Sequence, residues 1–119
     1  MSATESPSCV FCKILAGEIP ATIVRETDSA VAIRDIAPVG PTHVLVIPRR
    51  HVPDATHLGS EEAELLGELF SLANEVARDE GVSESGFRLV ANVGKAAGNT
   101  VDHLHLHLIG GRDLAWPPG

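Results

Sequence analysis

The chain has 119 residues, 44% of them hydrophobic, which suits one compact domain with a real buried core. Aromatics make up only 3%, so that core is aliphatic, and a formal charge of −7 argues against binding nucleic acid or an anionic membrane through net charge. No apolar run is long enough to span a bilayer, and the start of the chain lacks the apolar stretch of a signal peptide, so a cytoplasmic protein is expected. A nucleotide is not excluded, because local donors define such a pocket whatever the net charge.

Residues 1–8 read as a flexible tail and residues 9–119 as a single domain. Cys9 and Cys12 open that domain as Cys-Val-Phe-Cys. In a cytoplasmic protein this spacing suggests zinc or a redox pair more than a structural disulfide. A thioredoxin-like motif would follow a strand, and only a polar tail precedes this one. Zinc needs two further ligands, for which His51 and His103 are candidates.

Ile14 to Ile19 predicts a short helix ended by Gly17 and Pro20. Thr22 to Glu26 and Ala30 to Asp35 predict a hairpin turning at Asp28-Ser29. A proline-fixed loop, Ile36 to Pro41, leads into Thr42 to Ile47, a nearly all-apolar run that reads as a buried central strand interrupted by His43. Arg49 and Arg50 follow Pro48 and read as a solvated pair of charges.

Ser60 to Glu80 predicts the one long helix, with Ser60 as N-cap and Glu61 and Glu62 in the acid-favouring first turn. Leu65, Leu66, Leu69, Phe70, Ala73, Val76 and Ala77 form the expected buried stripe. Gly67 costs roughly 1 kcal/mol against alanine there, which suggests a close approach to the sheet. Gly81 ends the helix, Gly86 to Val93 predicts a further strand, and Lys95 to Thr100 a flexible loop whose amides suit an anion.

Val101 to Ile109 alternates leucine with histidine, the period of a strand with one apolar and one imidazole face. Leu104, Leu106 and Leu108 are expected in the core, with His103, His105 and His107 facing one cleft. The Cα atoms of His103 and His107 would lie roughly 13 Å apart on a straight strand, too far for all three imidazoles to close on one ion. The three should therefore divide their labour, with at least one free for proton transfer or nucleophilic attack. About five strands, with one long helix between the third and fourth, favour an antiparallel α+β sheet.

The run His103-Leu104-His105-Leu106-His107-Leu108 resembles the signature of the histidine-triad superfamily. Glu18-Ile19-Pro20, Asp35-Ile36-Ala37-Pro38, Thr42-His43, Val46-Ile47-Pro48, Gly110-Gly111-Arg112 and the Trp116-Pro117-Pro118-Gly119 terminus resemble its histidine-triad nucleotide-binding (Hint) branch. The resemblance implies a homodimer whose sheets join, a purine nucleoside monophosphate pocket, and hydrolysis at the α-phosphorus through a nucleotidyl-histidine. By position, His105 is then the nucleophile and His43 serves proton traffic to the leaving group. His107, Asn92, Asn99 and Thr100 contact phosphate, Asp35 holds the ribose and Ile36 lies beside the base. Trp116 is expected near the partner subunit's site.

Two departures matter. Several Hint proteins have Gln and Ser where this chain has Asn99 and Thr100, which implies a modified leaving-group pocket with the chemistry retained. Metal-free members lack Cys9 and Cys12, whereas other branches use such a pair with two histidines as zinc ligands, here His51 and His103. That zinc would be structural, pinning the N-terminal segment to the catalytic strand. The alternatives are a dinucleoside polyphosphate hydrolase and a nucleotide-binding scaffold whose hydrolysis is incidental.

Overall fold

A computed structural model describes residues 8–119, so the expected tail falls, Ser8 apart, outside the described residues. Helix α1 (Val10–Leu15) is followed by strands β1 (Ile23–Glu26), β2 (Ala30–Arg34) and β3 (Thr42–Pro48). Helix α2 (Ala63–Asp79) then precedes β4 (Phe87–Val90) and β5 (Leu106–Gly110). The strands form one antiparallel sheet in the order β1-β2-β3-β5-β4. This is the α+β architecture expected, with the apolar β3 at its centre and buried along its whole length.

Strand periodicity sorts the core onto two faces of the sheet. Ala30, Ala32, Val44, Val46, Leu106 and Leu108 pack with Leu69, Leu72, Ala73, Val76 and Ala77 of α2. Val31, Ile33, Leu45 and Ile47 pack with Cys9, Phe11 and Cys12 on the opposite face. Since Leu45 pairs with His107, and His43 precedes Leu45 by two, both imidazoles belong to this second face. The long helix thus supplies stability on one side, and the short helix closes the side that carries the histidines.

Helix α1 begins four residues earlier than the sequence predicts. Cys9 is its N-cap, and the sulfur accepts the Cys12 N–H at 3.3 Å, a role usually taken by Ser, Thr, Asp or Asn and therefore not signalled by residue type. The helix ends as a Schellman motif. Gly17 at φ +80° lets its N–H reach the Ile14 carbonyl and the Glu18 N–H reach that of Lys13, so residues up to Ile19 cannot remain helical.

Three expectations about the long helix also change. A 3₁₀ turn, Ser60–Glu62, precedes α2, and Ser60 makes no capping bond. Leu66 and Phe70 lie on the solvent side, 42% and 43% exposed, while Leu72 occupies the buried stripe. A Cβ on Gly67 would meet nothing within 4 Å, so no close approach to the sheet explains that glycine. Arg50 pairs with Glu62 at 2.8 Å and Arg49 donates to the Thr27 carbonyl at 3.0 Å, consistent with surface charges.

Candidate active site and metal centre

The three histidines of the triad do not share one environment. The backbone bends at Asp102 and His103, and β5 begins only at Leu106, yet leucines and histidines keep to opposite faces along the run. Leu104, Leu106 and Leu108 still enter the core as expected. His103, however, is fully buried and turns toward the cysteines, while His105 and His107 remain half-buried.

At the first site His103 Nδ1 lies 3.3 Å from Cys9 Sγ and 3.6 Å from Cys12 Sγ. His51 Nδ1 lies 3.3 Å from Cys12 Sγ and 3.1 Å from His103 Nδ1. All four candidate ligand atoms fall within 4.8 Å of one another. A tetrahedral centre with bonds of about 2.3 Å to sulfur and about 2.1 Å to nitrogen has ligand–ligand edges of about 3.4–3.8 Å, close to these separations. His103 donates its Nε2–H to the Pro48 carbonyl at 2.9 Å, which leaves Nδ1 as a lone pair aimed at the sulfurs. Burial, opposed by that bond and reinforced by His51 and His105, pushes its pKa down to about 4, so it is neutral near pH 7. Cys9, Cys12, His51 and His103 can hold a metal ion.

The second site is a chain of three side chains. His43 Nε2 lies 2.9 Å from His107 Nδ1 and 3.4 Å from Asp35 Oδ2. These three also lie close enough to suggest a metal, but the backbone argues otherwise. The Val39 N–H donates to His43 Nδ1 at 3.1 Å, so Nδ1 is an acceptor and the proton of the neutral ring sits on Nε2. A protonated Nε2 is no metal ligand. It donates to His107 Nδ1, which in turn places the His107 proton on Nε2. Burial and the neighbouring His105 and His43, against a smaller opposing effect of Asp35, push the His107 pKa down to about 4. Neutral His107 therefore offers a donor.

His105 connects the two sites. Its Nδ1–H donates to the His103 carbonyl at 2.7 Å, leaving the Nε2 lone pair free. Its ring lies 5.0 Å from that of Phe11 and 5.0 Å from that of His107, centroid to centroid. Phe11 also packs edge-on against His103, 5.8 Å away. An imidazole with one nitrogen anchored, the other bare and a neighbouring N–H donor is equipped for nucleophilic attack.

The remaining predicted residues are not all brought to this core. Asp35 follows β2 and accepts the Ala37 N–H at 2.8 Å, the bond of an Asx turn, while keeping its second oxygen near His43. Ile36 is fully exposed and lines, with Pro20, Thr22, Arg34 and Asp35, a hollow of about 340 Å³. Asn92 lies two residues beyond Val90, which pairs with His107, so the register leads it toward the level of His105. Asn99 folds onto its own loop, its Oδ1 accepting the Val101 N–H at 3.4 Å. Thr100 borders a hollow of about 440 Å³ with Cys9, Val10, His51 and Asp102. Trp116 is 83% exposed, and its segment is tied to β4 by Arg88, which donates to the Ala115 carbonyl at 2.9 Å.

Two contributors were not singled out in the sequence. Val39 acts through its amide, which residue type cannot signal. Phe11 lies inside the Cys-Val-Phe-Cys motif, where attention goes to the cysteines.

With this geometry in place, the comparisons with known proteins agree on one family. The HIT domain model matches residues 16–114, and the chain belongs to that family. An uncharacterized HIT-like protein of Synechococcus elongatus is 48% identical over 114 residues, covering 96% of this chain and 99% of its own. A solved HIT family hydrolase from Legionella pneumophila superposes with TM-score 0.91 at 48% identity, over 94% of this chain and 100% of that one. A HIT family hydrolase from Clostridium thermocellum gives TM-score 0.90 at 45% identity, over 93% and 96% respectively.

Proposed function

We propose that this protein is a purine nucleotide-binding hydrolase that cleaves nucleoside 5'-phosphoramidates at the α-phosphorus through a nucleotidyl-His105 intermediate. The observation that carries the reading is the tautomer of His105, whose Nδ1–H is held by the His103 carbonyl so that Nε2 is the free nucleophile. Hydrolase neighbours support the general class.

In the first step His105 Nε2 forms a bond to phosphorus and the P–N bond breaks. The amine leaves with one proton from solvent, whose passage we assign to the cleft-facing Nε2 of His107, while His43, its Nδ1 held by the Val39 N–H, orients the His107 ring. The His105 Nδ1–H stays on the His103 carbonyl, so the phosphorylated ring is cationic and remains a good leaving group for the second step. Water then displaces it and releases the nucleoside monophosphate. His107 Nε2–H donates to a non-bridging oxygen, and Asn92, Asn99, Thr100 and the loop amides are assigned as further donors. Asp35 and Ile36 take the ribose and the base.

The chemistry of the donor set supports zinc at Cys9, Cys12, His51 and His103, because two thiolates and two imidazoles make a closed structural set. When bound, zinc supplies stability, pinning the segment that carries Phe11 against His103 and His105. A homodimer fits the open edge at β4, the exposed Leu66 and Phe70, and the uncovered indole of Trp116. The test is a side-by-side assay of adenosine and guanosine 5'-phosphoramidates and a dinucleoside polyphosphate. Preferred turnover of the phosphoramidates is expected. Preference for the polyphosphate would move the protein to the alternative class, and tight nucleotide binding without turnover would favour a scaffold.

A further inference from the structure

We propose that Arg112 is a positioning residue which, through the Val39 peptide, fixes the tautomer of His43 and so decides whether His107 presents a proton or a lone pair to the cleft. The inference rests on the hydrolytic reading for its consequence, but its geometry is independent of any substrate. The two ends of one residue's main chain are engaged. The Val39 N–H donates to His43 Nδ1 at 3.1 Å, and the Val39 carbonyl accepts from Arg112 Nε at 2.8 Å. Arg112 also donates from Nη1 to the Asp113 carbonyl at 3.0 Å, which anchors the guanidinium to its own strand end.

The surrounding backbone leaves this arrangement little freedom. Pro38 and Pro41 bracket Val39 and Gly40, and each fixes its own φ. A Cβ on Gly40 would stand 3.1 Å from the Gly110 carbonyl oxygen, and one on Gly111 would stand 2.9 Å from Pro41 Cβ, so the two segments are in direct contact. Gly111 also has φ +85°, a conformation that side chains disfavour. The Gly110-Gly111-Arg112 stretch therefore lets the end of β5 press against the loop before β3, and Arg112 fastens the contact.

Its chemical effect follows from the donor inventory. A neutral imidazole carries one ring proton. With Val39 N–H on Nδ1, the His43 proton is on Nε2, His107 accepts it at Nδ1, and the His107 proton faces outward on Nε2. If the Val39 peptide swings away, His43 can carry its proton on Nδ1 instead. Its Nε2 lone pair then faces His107, which must move its own proton to Nδ1 to answer it. The cleft loses a donor and gains an acceptor without any change in net charge.

The test reads tautomers directly, by nitrogen NMR of the histidine rings in zinc-loaded, ligand-free full-length protein. In the wild type, His43 shows a protonated Nε2 and a bare Nδ1. Arg112→Ala, and separately an amide-to-ester replacement at Val39 that removes only the N–H, should each shift His43 toward a mixture of tautomers. His105, held by the His103 carbonyl, should keep its Nδ1 proton in both and serves as the internal control. Turnover number should fall about tenfold, the size of effect expected for one lost positioning hydrogen bond, with KM little changed. An unchanged His43 signal in the ester variant overturns the proposal, whatever Arg112→Ala does to folding. An unchanged signal in a folded Arg112→Ala protein overturns the role of the arginine. Because the tautomer signal needs no substrate, it stands or falls separately from the hydrolytic assignment.

Discussion

The His103 carbonyl accepts the Nδ1 proton of His105 at 2.7 Å, while the His103 side chain turns away into the cysteine pair. One residue thus serves the candidate metal site with its imidazole and the proposed nucleophile with its main chain. Substituting the His103 side chain leaves the carbonyl in the chain, so the two functions are separable by mutation.

His105→Asn should lower turnover by about 10⁴-fold or more, because it removes the attacking atom, while nucleotide affinity and melting temperature stay near those of the wild type. Single-turnover hydrolysis, calorimetric titration with a nucleoside monophosphate and thermal melting check this on one preparation. Hydrolysis within a few-fold of wild type would refute His105 as nucleophile.

His103→Ala should do the reverse. With one of four ligands gone, the protein should lose zinc and melt earlier, yet keep some activity at low temperature, since the carbonyl that orients His105 remains. His105→Ala should hold zinc and melt almost normally with no turnover. Metal content by atomic emission and melting with and without chelator distinguish the two. A zinc-free wild type, or full zinc occupancy in His103→Ala, would remove the four-ligand site.

Much of this division was readable before the fold. The apolar run of β3 announced a central strand, and leucines two apart on β5 announced its core face. The alternation put the three histidines on one face, but it could not show that His103 is buried against Cys9 and Cys12 while His105 and His107 stay half-buried, because period alone says nothing of what packs over each residue. The start of α1 was hidden by a cap made from sulfur. Leu66 and Phe70 fit a helical stripe as well as Leu72 does, and only the position of the sheet decides which of them is buried. The Val39 amide and the Arg112 clamp were out of reach altogether, since both act through main-chain atoms brought together by distant parts of the chain.

Stability should depend on pH in a defined direction. His107 is pushed down to about 4 in the folded protein, against an ordinary value near 6.5 when unfolded. Below that ordinary value the unfolded chain binds the extra proton, so the contribution is full above about pH 6.5 and is lost as pH falls toward 4. Melting temperature should therefore be flat above neutrality and decline through this window. His107→Gln should decline less, measured as melting temperature against pH with both proteins chelator-treated so that zinc release does not contribute. Identical slopes for the two proteins would show that His107 is not held neutral by burial.

Exposed Leu66 and Phe70 on α2 and the open edge at β4 give the assembly its test. Phe70→Glu should convert a dimer to a monomer in sedimentation equilibrium, because burying a carboxylate in an apolar interface is strongly unfavourable. Deleting residues 114–119 should change relative rates across a series of leaving amines more than it changes folding. A wild-type monomer, or unchanged relative rates, would place Trp116 outside any site.

The proposed intermediate is a covalent bond between phosphorus and Nε2 of His105. Rapid-quench mass spectrometry of the protein mixed with an adenosine 5'-phosphoramidate tests it most directly. A transient adenylyl adduct is expected on the peptide containing His105, absent from His105→Asn, forming before free nucleoside monophosphate appears. An adduct on His107 instead, or product formed with no adduct and with inversion at phosphorus, would contradict it.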